Sequence, residues 1–340
     1  MATSPRPGVS GPDLFFQIAN AYQQTAALRA AVELDVFTAI GEGNHSAAGI
    51  ARRCSASERG IRILCDYLVI HGFLVKDDSR YTLTPDSATF LDGRSPACVT
   101  QALRFLNDAP IIDGFNQLTE AVRRGASMLP EEGTTSAENP VWVEFARSMA
   151  PLQGIVAELL ANLLNARAGQ RWRVLDVAAG HGLFGISIAK QNPNAQIVAL
   201  DWPKVVEVAA ENARKAGVAE RHRTLAGSAF DVDFGGVYDV VLLTNFIHHF
   251  DPATIRKFLK KVHAALAPGG QAVTVEFVPN EDRVTPPRAA GFALIMLATT
   301  AAGDAYTLSE YKSMFQDAGF SAVDFQPMPP APQSVILARK

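Results

Sequence analysis

One short, mostly apolar run contains a carboxylate near its end and leads into a glycine-bearing turn, and the carboxylate and the turn together can bind a polar or charged ligand. The run, residues 172–177, contains Asp176 near its end and leads into Ala-Ala-Gly180-His-Gly182. Apolar residues then resume at helical spacing, so the stretch predicts a strand, a tight turn and a helix, the opening unit of a doubly wound sheet. Glycine suits such a turn because the backbone must bend sharply and let a ligand approach it closely.

Two kinds of ligand fit this turn. Gly180-x-Gly182-x-x-Gly185 satisfies the dinucleotide fingerprint, and Asp201 lies about 20 residues further on, where a ribose-binding acid belongs. Asp176 argues against a dinucleotide, because its carboxylate would repel a pyrophosphate brought to the turn. S-adenosylmethionine carries no phosphate there, and its cationic ammonium suits an acid and a glycine backbone. The stretch therefore favours S-adenosylmethionine.

The composition is typical of a compact globular protein. The chain has 340 residues, enough for two domains, with 48% hydrophobic and 19% charged residues. A net charge of −3 gives no electrostatic reason to expect nucleic acid or an acidic membrane as a partner. Residues 1–11 lack the apolar segment of a signal peptide, and the longest uncharged apolar stretch, residues 289–303, is too short to span a bilayer. We therefore expect a cytoplasmic protein.

Cysteine usage and acidic residues indicate no metal site. Cys54, Cys65 and Cys98 are unclustered and odd in number, so neither a disulfide framework nor a zinc site is indicated. The sequence also shows no cluster of Asp, His and Glu that suggests another metal. We expect no metal cofactor.

Residues 12–100 predict a winged-helix domain. Amphipathic helices are predicted within residues 15–40, 47–54 and 58–71, and a small hairpin within 73–83. One function of this arrangement is DNA binding, and Arg52, Arg53, Arg59 and Arg62 do cluster. Residues 1–95, however, carry nine Lys and Arg against ten Asp and Glu, whereas DNA-binding domains are normally basic. A dimerisation module is therefore the favoured interpretation, and a homodimer joined through this domain is expected.

The rest of the chain divides into a helical connector, residues 101–168, and an α/β domain, residues 169–340. Within the connector, residues 96–124 and 141–164 are predicted to be helical, and residues 126–140, rich in Pro, Gly, Ser and Thr, to be flexible. The α/β domain alternates strands with helices; the strands are predicted at 172–177, 196–200, 223–226, 238–243, 272–277, 322–326 and 334–338. The last connection is too short for a crossover, so the final pair is antiparallel. A doubly wound, seven-stranded sheet is expected.

Four features together resemble a class I S-adenosylmethionine-dependent methyltransferase. They are Leu175-Asp176-x-Ala-x-Gly180-x-Gly182, the acid Asp201 closing the second strand, Gly227-Ser228-Ala229-Phe230, and Leu266-Ala-Pro268-Gly269-Gly270 before the fifth strand. More narrowly, the chain resembles the small-molecule O-methyltransferases of the caffeic-acid and bacterial secondary-metabolite type, from about Phe15 to the C-terminus. That family joins an N-terminal winged-helix dimerisation domain to the methyltransferase fold.

The resemblance implies a histidine general base after the fourth strand. His248 is the aligned residue, and His249 replaces the family's usual aspartate. A phenol with a pKa near 10 is a poor nucleophile at neutral pH until its proton is taken, and an imidazole with an ordinary pKa near 6.5 can take it. Paired histidines also follow this strand in class I methyltransferases where neither is a base, so that interpretation stays open.

The same resemblance implies two glutamates that orient the base. Glu276 matches the first; the second falls at Ala305 and is missing, with Asp304 next to it as a conceivable substitute. This departure leaves open an S-adenosylmethionine enzyme with N- or C-methylation, or with non-methyl chemistry.

The remaining site residues follow from the resemblance in two groups. The cofactor group is Asp176, Gly180, Gly182, Asp201 at the ribose, Trp202 against the adenosine, Ser228, Ala229 and Phe230 at the adenine, and Asn245. The substrate group is Phe145, Met149, His249, Phe292 and Met296, although an apolar stripe at helical spacing is equally typical of ordinary core. His181, between the two glycines, is expected to be a spacer.

The predicted activity is methyl transfer from S-adenosylmethionine to a phenolic or enolic hydroxyl of a small, largely apolar acceptor, leaving S-adenosylhomocysteine. His248 would remove the hydroxyl proton and Glu276 would hold its ring. Two further alternatives are a dinucleotide oxidoreductase, opposed by Asp176 and the Pro268-Gly269-Gly270 turn, and a winged-helix regulator that senses a small molecule, opposed by the charge count.

Overall fold

The structure is a computed structural model that describes residues 11–130 and 133–340. It divides into two compact units, one ending at Leu103 and the other running from Arg104 to Lys340. Residues 1–10, on which most of the signal-peptide expectation rests, lie outside the described residues. Among the described residues, no helix combines the length and apolar character that crossing a membrane requires.

The first unit is a set of short helices followed by a hairpin, as predicted. Ser46 and Ser57 cap the helices α4, Ala47–Arg53, and α5, Glu58–Ile70, by accepting the backbone N–H of Gly49 and Gly60. The segment predicted as one or two helices forms three: the first break lies at Asn20, and the second at Asp35, whose positive φ of 58° interrupts the run. The elements are α1 Asp13–Ala19, α2 Ala21–Glu33, α3 Val36–Gly41, α4 Ala47–Arg53, α5 Glu58–Ile70, β1 Leu74–Asp77, β2 Arg80–Leu83 and α6 Pro85–Phe90, with α7 Ala102–Leu106 at the boundary.

The second unit contains four helices before the sheet and then alternating strands and helices. The helices are α8 Ala109–Asn116, α9 Leu118–Arg124, α10 Val141–Ser148, α11 Ala150–Leu163, α12 Leu183–Gln191, α13 Pro203–Lys215, α14 Pro252–Ala265, α15 Pro287–Ala290, α16 Phe292–Thr299 and α17 Leu308–Asp317. The strands are β3 Arg173–Val177, β4 Gln196–Asp201, β5 His222–Ala226, β6 Tyr238–Thr244, β7 Leu266–Glu276, β8 Ala322–Pro327 and β9 Ser334–Arg339. Short 3₁₀ turns occur at Ala166–Ala168, Ala219–Arg221 and Ile247–His249.

Within the described residues, seven strands of this unit form one sheet in the order β5-β4-β3-β6-β7-β9-β8. Strands β3 to β7 are parallel, and β9 is antiparallel to both β7 and β8. The predicted seven-stranded, doubly wound sheet with an antiparallel last strand is confirmed. The chain runs outward from β3 to β5 and then returns to the other side of β3. Such a switch point places the ligand site outside the carboxyl ends of β3 and its neighbours.

The central strand β6 explains why the sheet is buried on both faces. Its residues Val240, Val241, Leu242 and Leu243 are at most 1% exposed, as expected for a parallel strand covered by helices on both sides. One face packs against α14 and α17, and the other against α11 and α12. The sheet is thus a rigid platform for the loops at its carboxyl edge.

Two local predictions differ from the structure. The helix predicted from residue 96 begins only at Ala102. The Pro268-Gly269-Gly270 turn does not precede the fifth strand but lies inside β7, which begins at Leu266, because a register shift opposite Tyr238 absorbs the turn within the ladder.

The segment predicted as a flexible connection, residues 126–140, is hydrogen-bonded to α16 at Ser127 and Thr134. Ser127 donates its hydroxyl to the carbonyl of Ala298 at 2.7 Å, and the Thr134 N–H donates to the carbonyl of Thr299 at 2.9 Å. Trp142, which follows the segment, donates Nε1–H to the carbonyl of Thr134 at 2.8 Å. A composition rich in Pro and Gly therefore marks irregular structure here, while hydrogen bonds to a distant helix hold it.

Candidate active site

The glycine turn after β3 is shaped by a carboxylate from the next strand. Gly180 and Gly182 have positive φ values of 55° and 73°, which disfavour a side chain. Asp201, at the end of β4, accepts the N–H of Gly180 at 2.8 Å through Oδ2 and that of Trp202 at 2.7 Å through Oδ1. Asp201 is half-buried, and burial raises its pKa to about 6.

Asp176 lies fully buried beneath the same turn. Its Oδ2 accepts the N–H of Gly185 at 3.1 Å, whereas its buried Oδ1 has no partner among the described residues. Burial raises the pKa of Asp176 to about 7, and the charge of Asp201 acts in the same direction. A buried carboxylate oxygen without a donor is complementary to a cationic group and repels a phosphate. These residues therefore fit the ammonium end of S-adenosylmethionine.

His181 and Phe145 pack around this turn. The His181 ring is buried. Its centre lies 6.1 Å from the centre of the Phe145 ring and 5.9 Å from the centre of the Phe184 ring. Its Nδ1 accepts the N–H of Leu183, which caps the start of α12, and burial lowers its pKa to about 4. A neutral, capping ring agrees with the expected role as a spacer. Phe145 also closes over Gly180, where an added Cβ would lie 3.6 Å from its ring.

The loop after β5 carries Ser228, Ala229 and Phe230 and is held by a lysine that the sequence did not reveal. Lys261 on α14 donates to three backbone carbonyls, those of Ala229 at 3.0 Å, Phe230 at 2.8 Å and Val232 at 2.7 Å. The Lys261 ammonium also lies 4.4 Å from the centre of the Phe234 ring, and burial lowers the pKa of the lysine. All three of its N–H donors are used, so Lys261 fixes the course of this loop.

Glu276 organises the turn after β6. One carboxylate oxygen, Oε1, accepts the N–H groups of Phe246 and Ile247 at 3.1 Å and of His248 at 3.4 Å. The other, Oε2, is hydrogen-bonded to Nδ1 of His248. The His248 and Glu276 side chains are 4% and 0% exposed. A single carboxylate from β7 thus sets both the backbone of the turn and the orientation of the imidazole.

The protonation of this buried pair follows from its surroundings. Burial lowers the pKa of His248 and raises the pKa of Glu276, since a charge is disfavoured away from water, while the backbone N–H groups act in the opposite direction on Glu276. The two groups titrate as one unit. Once the pair has lost a proton, the remaining one lies on Nδ1 between the two groups, and Nε2 of His248 carries a free lone pair.

His249 lies beside His248, with ring centres 4.2 Å apart. Its Nδ1–H donates to the backbone carbonyl of Phe246 at 2.9 Å, and burial lowers its pKa to about 3, with His248 adding to the effect. Two aromatic rings flank these histidines. The ring of Trp142 lies edge to face on that of His249, with ring centres 5.2 Å apart. The ring of Phe292 lies edge to face on that of His248, with ring centres 4.7 Å apart.

Asp304 does not act as the missing second glutamate. Its side chain reaches Arg283, at 3.4 Å, and its backbone N–H donates to the carbonyl of His248 at 2.9 Å. Ala305, where the family places the glutamate, is buried. The carboxylate seen at the His248 imidazole is therefore that of Glu276 alone among the described residues.

The other predicted residues take varied positions. Asn245 has a positive φ of 52° and accepts from Gln333 at 3.4 Å, a buried residue that the sequence did not single out. Trp202 packs in a small apolar cluster between α10 and α13. Met296 is buried within α16, and Met149 is half-buried between α10 and α11.

Trp142 and Lys261 were also missed by the sequence reasoning. Neither lies in a motif, and their partners are backbone carbonyls, which leave no sequence signal. In the described part of the chain, no group of three or more His, Cys, Asp and Glu is arranged to hold a metal ion.

The switch-point sheet, the glycine turn with its two acids and the loop after β5 define a class I S-adenosylmethionine-dependent methyltransferase. Residues 109–321 match the O-methyltransferase domain family, and residues 16–93 match the O-methyltransferase dimerisation domain. The chain belongs to the O-methyltransferase family.

Individual proteins that resemble this chain are methyltransferases by name. The 3-hydroxy-5-methyl-1-naphthoate 3-O-methyltransferase of Streptomyces sahachiroi is 30% identical over 93% of this chain and 92% of its own. A candidate O-methyltransferase from Nostoc punctiforme is 53% identical, with a TM-score of 0.95 over 98% of this chain and 100% of its own. Human N-acetylserotonin methyltransferase, solved with S-adenosylmethionine, shares the fold at 22% identity, with a TM-score of 0.83 over 99% of each chain. The protein is thus an S-adenosylmethionine-dependent O-methyltransferase of the secondary-metabolite type.

Proposed function

We propose that the enzyme methylates a phenolic hydroxyl of a small, largely aromatic acceptor, with His248 as the general base and Glu276 as its positioning residue. The observation that carries this proposal is the buried hydrogen bond from His248 Nδ1 to Glu276, which leaves Nε2 as a proton acceptor. The relative from Streptomyces sahachiroi, by its name, acts on a hydroxyl of a naphthoate, which is an acceptor of this chemical class.

Different residues of the chain would bind the cofactor and activate the acceptor. Asp176 and the turn at Gly180 and Gly182 would hold the methionine end of the cofactor, Asp201 the ribose, and the loop fixed by Lys261 the adenine. When bound, S-adenosylmethionine supplies a methyl group on a positively charged sulfur. His248 accepts the hydroxyl proton at Nε2, so the acceptor oxygen becomes nucleophilic as it is aligned. Phe292 and Trp142 limit the access of water to the two histidines.

The test is His248→Ala. We expect methyl transfer to a phenol to fall by about 10² to 10⁴ while S-adenosylhomocysteine affinity is nearly unchanged, because the base touches the acceptor rather than the cofactor. His249→Ala should cost much less, and His263→Ala, a histidine that packs on Phe320 instead, should cost nothing. Equal losses from His248→Ala and His249→Ala, or no loss from either, would contradict His248 as the base.

We also infer that the protein is a homodimer joined through its N-terminal unit. Helix α1 has no buried residue, and it exposes Leu14, Phe15, Phe16 and Ile18 by 55% to 69%. Apolar surface on consecutive turns of a helix is normally covered. The match of this region to the dimerisation domain supports a second copy of the chain as the cover.

A further inference from the structure

The turn after β6 is a single short 3₁₀ turn, residues 247–249. Its two internal backbone hydrogen bonds, to the carbonyls of Phe246 and Ile247, are both 3.3 Å long. Two long bonds in one 3₁₀ turn give it little rigidity of its own. Glu276 binds the N–H groups at the first end of the turn, as described above. The carbonyl groups at its other end need donors from elsewhere in the chain.

One segment, residues 303–306, supplies these donors. The backbone N–H of Asp304 donates to the carbonyl of His248 at 2.9 Å, and the hydroxyl of Tyr306 donates to the carbonyl of Phe250 at 2.6 Å. Tyr306 is buried, and burial raises the pKa of its hydroxyl, so the hydroxyl keeps its proton and remains a donor. The two donors flank Ala305, the position at which the resemblance places the second glutamate.

Gly303 lets this segment lie directly against the turn. A Cβ added at Gly303 would lie 2.5 Å from the carbonyl oxygen of His248 and 3.0 Å from the carbonyl carbon of His249, both closer than real side chains allow. The φ of Gly303 lies outside the left-handed region, so glycine is needed here for the close approach and not for its backbone conformation. The hydroxyl of Thr300 accepts the Gly303 N–H at 2.9 Å and donates to the carbonyl of Met296 at 2.7 Å, which anchors the segment to α16.

We propose that segment 303–306 positions the His248 base from the end of the turn opposite to Glu276, with Gly303 and Tyr306 as positioning residues. The segment thereby takes over, through the backbone of the turn, the orienting role that the resemblance gives to the second glutamate. This inference rests on the proposed function of His248. The place of Nε2 follows that of the His248 backbone, and a shift of about 1 Å in a catalytic group is enough to cost much of its effect.

The experiment compares two acceptors, 1-naphthol and 4-nitro-1-naphthol, at about pH 8. The first still carries its hydroxyl proton and needs the base, whereas the second is already ionised and does not. Tyr306→Phe removes one donor without changing the packing, so we expect kcat for 1-naphthol to fall at least about tenfold and kcat for the nitro compound to fall less than about threefold. Gly303→Ala should show the same selective loss, and a larger one. Calorimetry should show unchanged S-adenosylhomocysteine affinity in both variants.

A matched control and a rescue accompany these variants. Tyr238→Phe removes a buried hydroxyl that also donates to a backbone carbonyl, that of Phe234, but at the amino end of β6, and it should leave both rates unchanged. Thr300→Val removes the anchor of the segment and should reproduce the selective loss, whereas Thr300→Ser keeps the hydroxyl and should restore the rate. If Gly303→Ala does not fold, the pair of Thr300 variants replaces it.

A second measurement does not depend on turnover. The proton that His248 Nδ1 shares with Glu276 gives a far-downfield resonance in the proton NMR spectrum, and Tyr306→Phe should shift it while Tyr238→Phe should not. Equal losses of rate on the two naphthols, no loss on 1-naphthol, or an unshifted resonance in Tyr306→Phe would overturn the proposal. If the wild type methylates neither naphthol, the resonance decides. Failure of the proposed function would show separately, as methyl transfer to a phenol that is unaffected by His248→Ala.

Discussion

Glu276 binds both the imidazole of His248 and the backbone of the turn on which that histidine stands. Its Oε2 meets Nδ1 of the ring, and its Oε1 accepts three consecutive backbone N–H groups, those of residues 246–248. The orientation of the ring and the position of its Cα are thus set by one buried side chain. We therefore expect most substitutions of Glu276 to change the position or the orientation of the His248 imidazole.

We expect Glu276→Gln to lower kcat by about 10² or more without weakening S-adenosylhomocysteine binding. The amide oxygen can still accept the backbone N–H groups, but the amide NH₂ then faces Nδ1 of His248. The ring proton would move to Nε2, the atom that must accept the proton of the substrate. Glu281→Gln, at an exposed carboxylate bonded to Ser309, is the matched control. An unchanged kcat in Glu276→Gln would show that the ring needs no such partner.

The rate should rise with pH as the pair of His248 and Glu276 loses its shared proton. Burial raises the pKa of Glu276 to about 8 and lowers the pKa of His248, so the proton that the pair loses is the one with the raised pKa, and the ascending limb should be centred near pH 8. Steady-state kcat with a phenol of pKa above 9 measures it. An acceptor that is already ionised at the assay pH should lose most of this limb. A wild-type rate that is flat from about pH 5 to 9 would contradict the base.

Asp176→Asn should have opposite effects on the free protein and on cofactor binding. The folded-state pKa of Asp176 is raised from 3.8 to about 7, so the folded protein retains its proton and the wild type loses stability as pH rises between these values. Relative to the wild type, Asp176→Asn should gain up to about 4 kcal/mol in the free energy of unfolding at pH 8, and little at pH 4. Affinity for S-adenosylhomocysteine should fall, because the partner of its ammonium is lost.

Urea denaturation at the two pH values and calorimetry measure these effects. Asp324→Asn, at an exposed carboxylate on the edge strand β8, should show neither. Undiminished affinity in Asp176→Asn would remove Asp176 from the cofactor site.

Lys261→Met should weaken S-adenosylhomocysteine binding by about 1–2 kcal/mol, because the carbonyls of Ala229, Phe230 and Val232 lose their common donor and the loop is released. Lys261→Arg should restore part of the affinity. Lys260→Met, at an exposed position on the same helix, is the control for calorimetry. Equal affinities in Lys261→Met and the wild type would mean that this loop does not contact the cofactor.

The chain should be a dimer in solution, and Phe16→Glu should shift it towards monomer. Phe16 is 55% exposed within the apolar surface of α1, and a charge placed there would have to be desolvated in an interface. Light scattering over a range of concentrations gives the mass, and Glu58→Gln, at an exposed position on α5, serves as a control. A wild-type mass that stays at one chain at every concentration would contradict the interface.

The sequence alone determined those parts of the protein that depend on neighbouring residues. The run into Asp176, the turn at Gly180 and Gly182, and the apolar strand of residues 240–243 each follow from local spacing and from the period of burial. The same local patterns carried the resemblance that placed His248 and Glu276. The doubly wound class of the sheet and its antiparallel final pair could also be predicted, since alternating strands and helices with short connections leave few topologies.

Only the tertiary structure decided the interactions between distant backbone and side-chain atoms. Lys261 reaches carbonyls 29 to 32 positions away, and the segment at Ser127 is bonded to a helix 171 positions further on. Every residue has the same backbone carbonyl acceptor, so the pattern of side chains does not predict which carbonyl a given donor will bond. The tautomer of His249 is of this kind: it is set by the carbonyl of Phe246, whose direction exists only once Glu276 has fixed the turn.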